Sequence, residues 1–417
     1  MFRCITKLKG LIIDLDSFGI ETLHEWESLQ EQYIVVFLTA HKEYAEIIKS
    51  RFGENSFQPI SRITRFTAPN IFLNTSILDI YKLKNTEIVY VSKDLYYLRK
   101  AMTLMNGTIW VTDSINYEEA GTMPDLVCSS IERIEIDLKK HIYGFFGEVF
   151  FNPLSFGTGL VLPVEFPCDG HSIQLYTIGR YFGYQHYMSQ LHPYSSAIWW
   201  NKRKNSKSYG LFNEELTKIF LKASVSIKEI HKIECICSVP ARPSEENRFT
   251  KIVETVSKET GLTDVSRFFN CVKEYAPQKQ LTEKEREINI RGVFQMSEDL
   301  KGRNVLIVDD IATTGSTLRE CARELFKHNA GDVIVLVLAI NQKDGTYWSS
   351  ERPGVICPHC GTKMGLFINS NSKQFFFSCP NDNMTYSFPE GEKNLVASLN
   401  QMDEIKNRIF KDNEGAF

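Results

Sequence analysis

The sequence predicts an α/β protein: two parallel-sheet units in series, closed by a small cysteine-bearing hairpin and a terminal helix. Three observations predict it. Apolar runs alternate with helical patterns through the N-terminal third, and strands alternating with helices imply a doubly wound parallel sheet. A second set of buried runs at 234–239, 305–308 and 333–340 flanks further helical segments. Near the C-terminus a C-x-x-C knuckle and a lone Cys-Pro bracket two strand-like runs. The expected units are 1–142, 143–348, 349–392 and 393–417.

Bulk properties bound the problem. A chain of 417 residues exceeds one ordinary core, so two or three domains are expected. Hydrophobic residues at 43% and charged residues at 24% suit a water-exposed globular protein, and a net charge of −3 gives no global basic field for nucleic acid or membrane. The sequence has no apolar run long enough to span a bilayer, and its N-terminal residues lack the apolar core of a secretion signal. The ten cysteines are scattered and mostly sit in apolar runs. Reduced thiols and a cytoplasmic location are expected.

In the first unit, strands are expected at 11–13, 34–39, 87–91 and 107–111, with helices at 44–51, 71–83 and 95–105. The first strand runs into Asp14-Leu-Asp16, and the second ends in Thr39. This pattern resembles the haloacid-dehalogenase (HAD) phosphohydrolases. The resemblance implies that Asp14 is a phosphoryl-accepting nucleophile, Asp16 an acid/base, and Thr39 a ligand of the phosphoryl group. It weakens after the strand at Val91, where Lys93 stands at the usual magnesium-binding acid position and Asp94 falls one place off. An ammonium there repels magnesium, which phosphoryl transfer needs to neutralise charge. The expectation is a HAD-like fold with altered or lost phosphatase activity, still able to bind a phosphorylated ligand.

A Phe-, Gly- and Pro-rich stretch around 144–163 marks the next boundary. Aromatic residues and the cluster Lys202-Arg203-Lys204 follow. Interleaved aromatics and cations are compatible with a single-strand binding face, but a substrate hood with one solvated loop is preferred. The strand at 234–239 leads into Pro240-Ala241-Arg242-Pro243, and the helix from Arg248 to Thr260 is closed by Gly261. Cys235 and Cys237 read as core.

The richest stretch is Val305-Leu-Ile-Val-Asp309-Asp310-Ile-Ala312-Thr313-Thr314-Gly315-Ser316-Thr317. A buried strand meets paired carboxylates and a loop of small hydroxyl residues. Helical spacing at Leu318, Cys321, Ala322, Leu325 and Phe326 follows, and Asn329-Ala330-Gly331 stops it. Backbone N–H groups at a helix N-terminus attract phosphate, and adjacent carboxylates accept hydrogen bonds from sugar hydroxyls. Ligands of open α/β sheets bind at such strand ends. A receiver domain would need a further strand where cysteine-rich sequence stands, and a Walker B strand would need a G-x-x-x-x-G-K-[ST] loop that the chain lacks.

The stretch resembles the phosphoribosyl pyrophosphate (PRPP) motif of type I phosphoribosyltransferases. The resemblance implies that Asp309 and Asp310 hold the ribose hydroxyls and that Ala312 to Thr317 wrap the 5-phosphate. It places Ala241 and Arg242 in the pyrophosphate loop. The segment Gln278-Lys279-x-Leu281 through Glu285-Arg286, Asn289, Gly292 and Phe294 resembles the ComF-like branch. It makes Lys279 and Arg286 candidate pyrophosphate contacts from a closing loop. Magnesium with PRPP and an unidentified small-molecule acceptor are implied. Thr313 stands where hypoxanthine-guanine enzymes carry an aspartate, which disfavours that substrate. The alternative is a non-catalytic PRPP- or nucleotide-sensing module that controls a nucleic-acid or protein partner.

Cys357-Pro-His359-Cys360-Gly361 and Cys379-Pro380 resemble the zinc ribbons at topoisomerase C-termini. The fourth cysteine is missing, and Asp382 occupies its place. Asp382 or His359 would complete a structural zinc site, and the ribbon offers a face for a nucleic-acid or protein partner. A short amphipathic helix is expected at 395–410.

Overall fold

Five buried residues in a row, Gly10 to Asp14, cannot face water on either side, so the strand they form must be covered on both. In the structure, a computed structural model, this is β1 (Gly10–Asp14), the centre of a parallel sheet with β2 (Ile34–Thr39), β3 (Phe57–Pro59), β4 (Ile88–Ser92), β5 (Gly107–Val111) and β6 (Leu126–Cys128) in the order β3-β2-β1-β4-β5-β6. The residues described are 7–61, 68–154, 157–184, 186–204, 206–275, 283–343 and 354–411. The four expected strands are present. β3 and β6 have three residues each, too few to show a period in sequence.

A short parallel pair, β7 (Ile142–Phe145) with β8 (Thr158–Leu160), leads to the second sheet. That sheet holds β9 (Leu162–Cys168), β10 (His171–Phe182), β11 (Cys235–Ser238), β12 (Thr263–Asp264), β15 (Val305–Ala312) and β16 (Val333–Gln342), ordered β12-β11-β15-β16-β10-β9. Only the β9–β10 pair is antiparallel. A separate hairpin, β13 (Phe269–Cys271) with β14 (Phe294–Met296), flanks it. The C-terminal unit is a three-stranded antiparallel sheet, β17 (Gly365–Ile368), β18 (Phe375–Ser378) and β19 (Thr385–Ser387), followed by the helix Phe388–Lys411.

The units are knit together. One continuous apolar core runs from Leu11 and Phe37 through Phe146, Tyr194 and Phe220 to Phe377 and Leu399. A buried ion cluster crosses the expected boundary: Arg180 in β10 pairs with Glu148 at 2.8 Å and with Asp125, just ahead of β6, at 3.2 Å. Removing one partner of such a cluster strands a buried charge, which costs about 3–5 kcal/mol. The segment 113–125 is also tied to the second sheet, because Tyr117 N donates to Glu165 O, Glu165 N to Ile115 O, and Met123 N to Gln342 Oε1.

Candidate functional site

β15 places the paired acids. Its first four residues are buried and the strand continues past the carboxylates to Ala312, so Asp309 and Asp310 lie within it. Neighbouring strand residues point to opposite faces. Asp309 therefore shares its side with Ile307 and Cys321, and Asp310 shares the side of Leu306 and Val308. Asp309 Oδ1 accepts from Asp310 N at 2.8 Å, and Asp310 Oδ1 accepts from Ile311 N at 2.6 Å. Each carboxylate thus accepts the backbone N–H of the residue that follows it.

The two acids sit in opposite electrostatic surroundings. Burial pushes the Asp309 carboxyl up to about 7, helped by the adjacent Asp310 charge. Burial opposes ionisation of Asp310 too, but two cations outweigh it. Lys202 Nζ lies 2.9 Å and an Arg248 Nη 2.7 Å from Asp310 Oδ2, and they hold this carboxyl below the usual carboxylate range. Sequence reasoning had assigned Lys202 only to a basic loop and Arg248 only to a helix start. A cation arriving from another element leaves no local pattern to read.

Thr313 and Thr314 form the loop, Gly315 turns it with φ +77°, and the helix Ser316–Lys327 begins. The first helical N–H groups have no partner within their own helix and face the loop. Thr314 Oγ1 and Ser316 Oγ lie 3.1 Å apart, and Thr317 occupies the first turn. The loop is held from outside. Tyr117, from the first unit, donates its hydroxyl to Thr313 O at 3.1 Å. Arg319 donates to Thr314 O at 2.9 Å and to Pro167 O at 3.1 Å, with its guanidinium over the Phe166 ring.

β11 runs parallel beside β15, with Ser238 opposite Val308, so the loops that leave the two strands emerge together. Ala241 and Arg242 lie on the β11 loop. The Arg242 guanidinium stacks over Tyr275 at 4.6 Å and sits 4.0 Å from Glu245. Lys279, Gln278 and Leu281 lie outside the described residues, and Arg286 falls in the helix Glu283–Ile290. Two residues of that segment have structural work. Gly292 N donates to Glu320 Oε1 on the loop-bearing helix at 2.6 Å, and Phe294 is buried in β14.

In the first unit the ends of β1, β2 and β4 gather Asp14, Asp16, Thr39 and Ser92. Thr39 Oγ1 and Ala40 N both donate to Asp16, and Ser92 Oγ donates to Asp14 Oδ2 at 2.7 Å. Ser17 accepts from Lys93 N at 3.1 Å. The sequence reading missed Ser17 and Ser92. Asp94 caps the helix Leu95–Thr103, accepting from Tyr96 N at 2.8 Å, and Lys93 Nζ lies 5.3 Å from the centre of the Phe18 ring.

In the C-terminal unit Cys357, Cys360, Cys379 and Asp382 converge, with all four ligand atoms within 4.8 Å of one another. Cys360 and Cys379 sulfurs are 3.5 Å apart, and Cys357 Sγ donates to Asp382 at 3.2 Å. Three thiols and one carboxylate at this spacing can hold a metal ion. His359 Nδ1 lies outside this cluster, 3.5 Å from Asp382 Oδ2.

Residues 248–353 match the family model described as "Phosphoribosyl transferase domain". A phosphoribosyl transferase domain is present. The match begins at Arg248, so β9 to β11 and the loop of Ala241 and Arg242 precede it, while β15, the Asp309–Asp310 pair and the Thr313–Thr317 loop fall inside. The chain is 38% identical to the DNA utilization protein YhgH of Shigella flexneri over 63 residues, 15% of this chain and 28% of that protein, and equally to YhgH of Escherichia coli K12. It is 36% identical to YhgH of Salmonella typhi over 73 residues, 18% of this chain and 32% of the relative. The chain thus spans under a third of the length of these relatives. Among the described residues no helix is long and apolar enough to cross a membrane.

Proposed function

We propose that this protein transfers ribose 5-phosphate from PRPP to an acceptor, displacing pyrophosphate at the anomeric carbon. One observation carries the reading: within the matched domain, β15 delivers two carboxylates and a glycine-turned hydroxyl loop to the carboxyl edge of a parallel sheet. The 5-phosphate takes the open N–H groups of the helix at Ser316 and the hydroxyls of Thr313, Thr314, Ser316 and Thr317. The ribose hydroxyls donate to Asp309 and Asp310. Arg242, with Lys279 and Arg286 from the neighbouring segment, receives the charge that leaves with pyrophosphate. Magnesium bound with PRPP would supply Lewis-acid neutralisation of that leaving group. Lys202 and Arg248 offset Asp310, so the anionic substrate meets less repulsion.

The test is release of pyrophosphate from PRPP with magnesium, screened over acceptors, beside direct PRPP binding. Asp309→Asn and Asp310→Asn should each weaken PRPP binding by about tenfold or more, since each removes a charge-assisted acceptor worth about 1.5–3 kcal/mol. Undiminished binding in both variants would end the reading.

The two flanking units are read as follows. The first is a HAD-like fold that binds a phosphorylated ligand at Asp14, Asp16 and Thr39 without magnesium-dependent turnover. Asp94 serving as a helix cap and Lys93 standing at the metal position support this. Hydrolysis of a simple phosphate ester that disappears in Asp14→Asn would overturn it. The third is a zinc ribbon with Cys357, Cys360, Cys379 and Asp382 as ligands, supported by their convergence. Metal analysis of the purified chain, with Cys360→Ser as control, decides that point.

A further inference from the structure

Asp310 of β15 borders a cavity that none of the roles above fills. It lies beside Asp310, between the helices Pro193–Lys202, Asn213–His231 and Thr250–Thr260, and has a volume of about 70 Å³. Its floor is apolar, made by Ile198, Leu216, Phe249, Ile252 and Leu338. Its polar wall is one-sided. Lys202 and Arg248 each give one N–H contact to Asp310 Oδ2, whereas an ammonium has three N–H groups and a guanidinium five. Asn201 Nδ2 donates to Asn213 Oδ1 at 2.8 Å, and Asn201 Oδ1 accepts from Phe212 N at 2.7 Å, so both amide oxygens are engaged, while each amide nitrogen keeps at least one N–H beyond these bonds. The one carboxylate among the described lining residues, Asp310, accepts from both cations and from Ile311 N. Two cations against one anion leave a net positive charge, and the available groups are donors.

We propose that this cavity holds the acceptor, and that the acceptor is a single-ring nitrogen heterocycle carrying a carboxylate. The proposal rests on the phosphoribosyl-transfer reading, because it places the acceptor beside the acid that grips the ribose. A donor-rich, net-positive wall over an apolar floor selects a flat ring with an anionic, acceptor-rich edge. Size points the same way. A cavity of about 150 Å³ takes one benzene ring, so 70 Å³ takes the substituted edge of one ring and not a fused bicycle. In the step itself a ring nitrogen lone pair forms the bond to the anomeric carbon as the bond from that carbon to pyrophosphate oxygen breaks. The bonding pair leaves with pyrophosphate, and any proton on the attacking nitrogen passes to water.

The experiment uses the full chain, PRPP and magnesium, and reads pyrophosphate release with matched pairs of monocyclic nitrogen heterocycles, with and without a ring carboxylate, beside adenine and guanine. The expected result is a preference of about tenfold or more in kcat/KM for the carboxylated ring of each pair, which corresponds to one charge-assisted contact. Arg248→Gln should reduce that preference, read as the ratio of kcat/KM within each pair, to about twofold or less, whatever it does to the PRPP binding common to both members. Equal rates within pairs, or faster reaction with purines, overturn the proposal. So does Arg248→Gln if the ratio within each pair stays at its wild-type value, since Arg248 would then act only through Asp310. If the wild type fails to bind PRPP at all, the underlying transfer reading falls instead, and direct PRPP titration tells the two failures apart.

Discussion

At Gly315 the backbone turns with φ +77°, and an added methyl would stand 2.5 Å from the Phe166 ring. Both the left-handed conformation and the close approach demand glycine. Gly315→Ala should destabilise the protein by about 2 kcal/mol or more, combining left-handed strain with overpacking. The denaturant midpoint checks it, and on the proposed function PRPP binding should weaken as well. Asp309 sets a pH dependence. Its carboxyl ionises only near 7 in the fold, against about 3.9 in an unfolded chain. The folded state therefore holds a proton that the unfolded chain has lost, and stability contributed by this group declines as pH rises from about 4 through about 7. Accepting a ribose hydroxyl favours the ionised form, so PRPP affinity should rise between about pH 6 and pH 8. Asp309→Asn should flatten that part of the slope, which titration calorimetry at several pH values would show.

Two elements show what a local sequence can and cannot announce. β9 alternates strictly between buried and exposed residues, and Asp169-Gly170, both at positive φ, join it to β10 in a two-residue turn. That hairpin was legible in principle. Pro163 and Pro167 obscured it, yet both are exposed residues of a strand at the sheet edge, where a missing N–H costs nothing. The strap 113–125 was not legible. It has little regular structure, and its purpose comes from what it touches: Tyr117 bonds to Thr313 O and packs edge-on against Phe166 at 4.7 Å. Tyr117→Phe should keep the ring packing and lose one hydrogen bond, worth about 1 kcal/mol. The expected outcome is a several-fold rise in the Kd for PRPP, with a fall in the unfolding midpoint no larger than that one bond accounts for. An unaltered Kd would show that the strap supports the fold and not the loop.

Across the whole molecule the C-terminal unit braces the cavity. Phe375 stacks on Phe212 at 6.1 Å, Phe367 lies 6.5 Å from Trp200, and Lys373 pairs with Glu215 at 2.6 Å. Trp200 and Phe212 are chain neighbours of the cavity residues Asn201 and Asn213. Loss of the four-residue cluster should therefore be felt at the acceptor. Chelation, or Cys360→Ser, should speed amide exchange in the helix Pro193–Lys202 and leave β1 to β5 as they were. Equal exchange in both states would uncouple the two units.

By itself the sequence determined the strand that carries Asp309 and Asp310, the glycine turn and helix after it, the alternating first unit and the cysteine knuckle. Each is written in contiguous residues, where hydrophobic period, turn chemistry and ligand spacing act over a few positions. Tertiary structure alone decided that Lys202 and Arg248 meet on Asp310, that Tyr117 reaches the Thr313–Thr317 loop from the first unit, and that the C-terminal three-stranded sheet leans on the segment 200–215. Those contacts join residues 62 to 196 positions apart. Their energy comes from packing and charge brought together only when the sheets close, and no local pattern of residues encodes it.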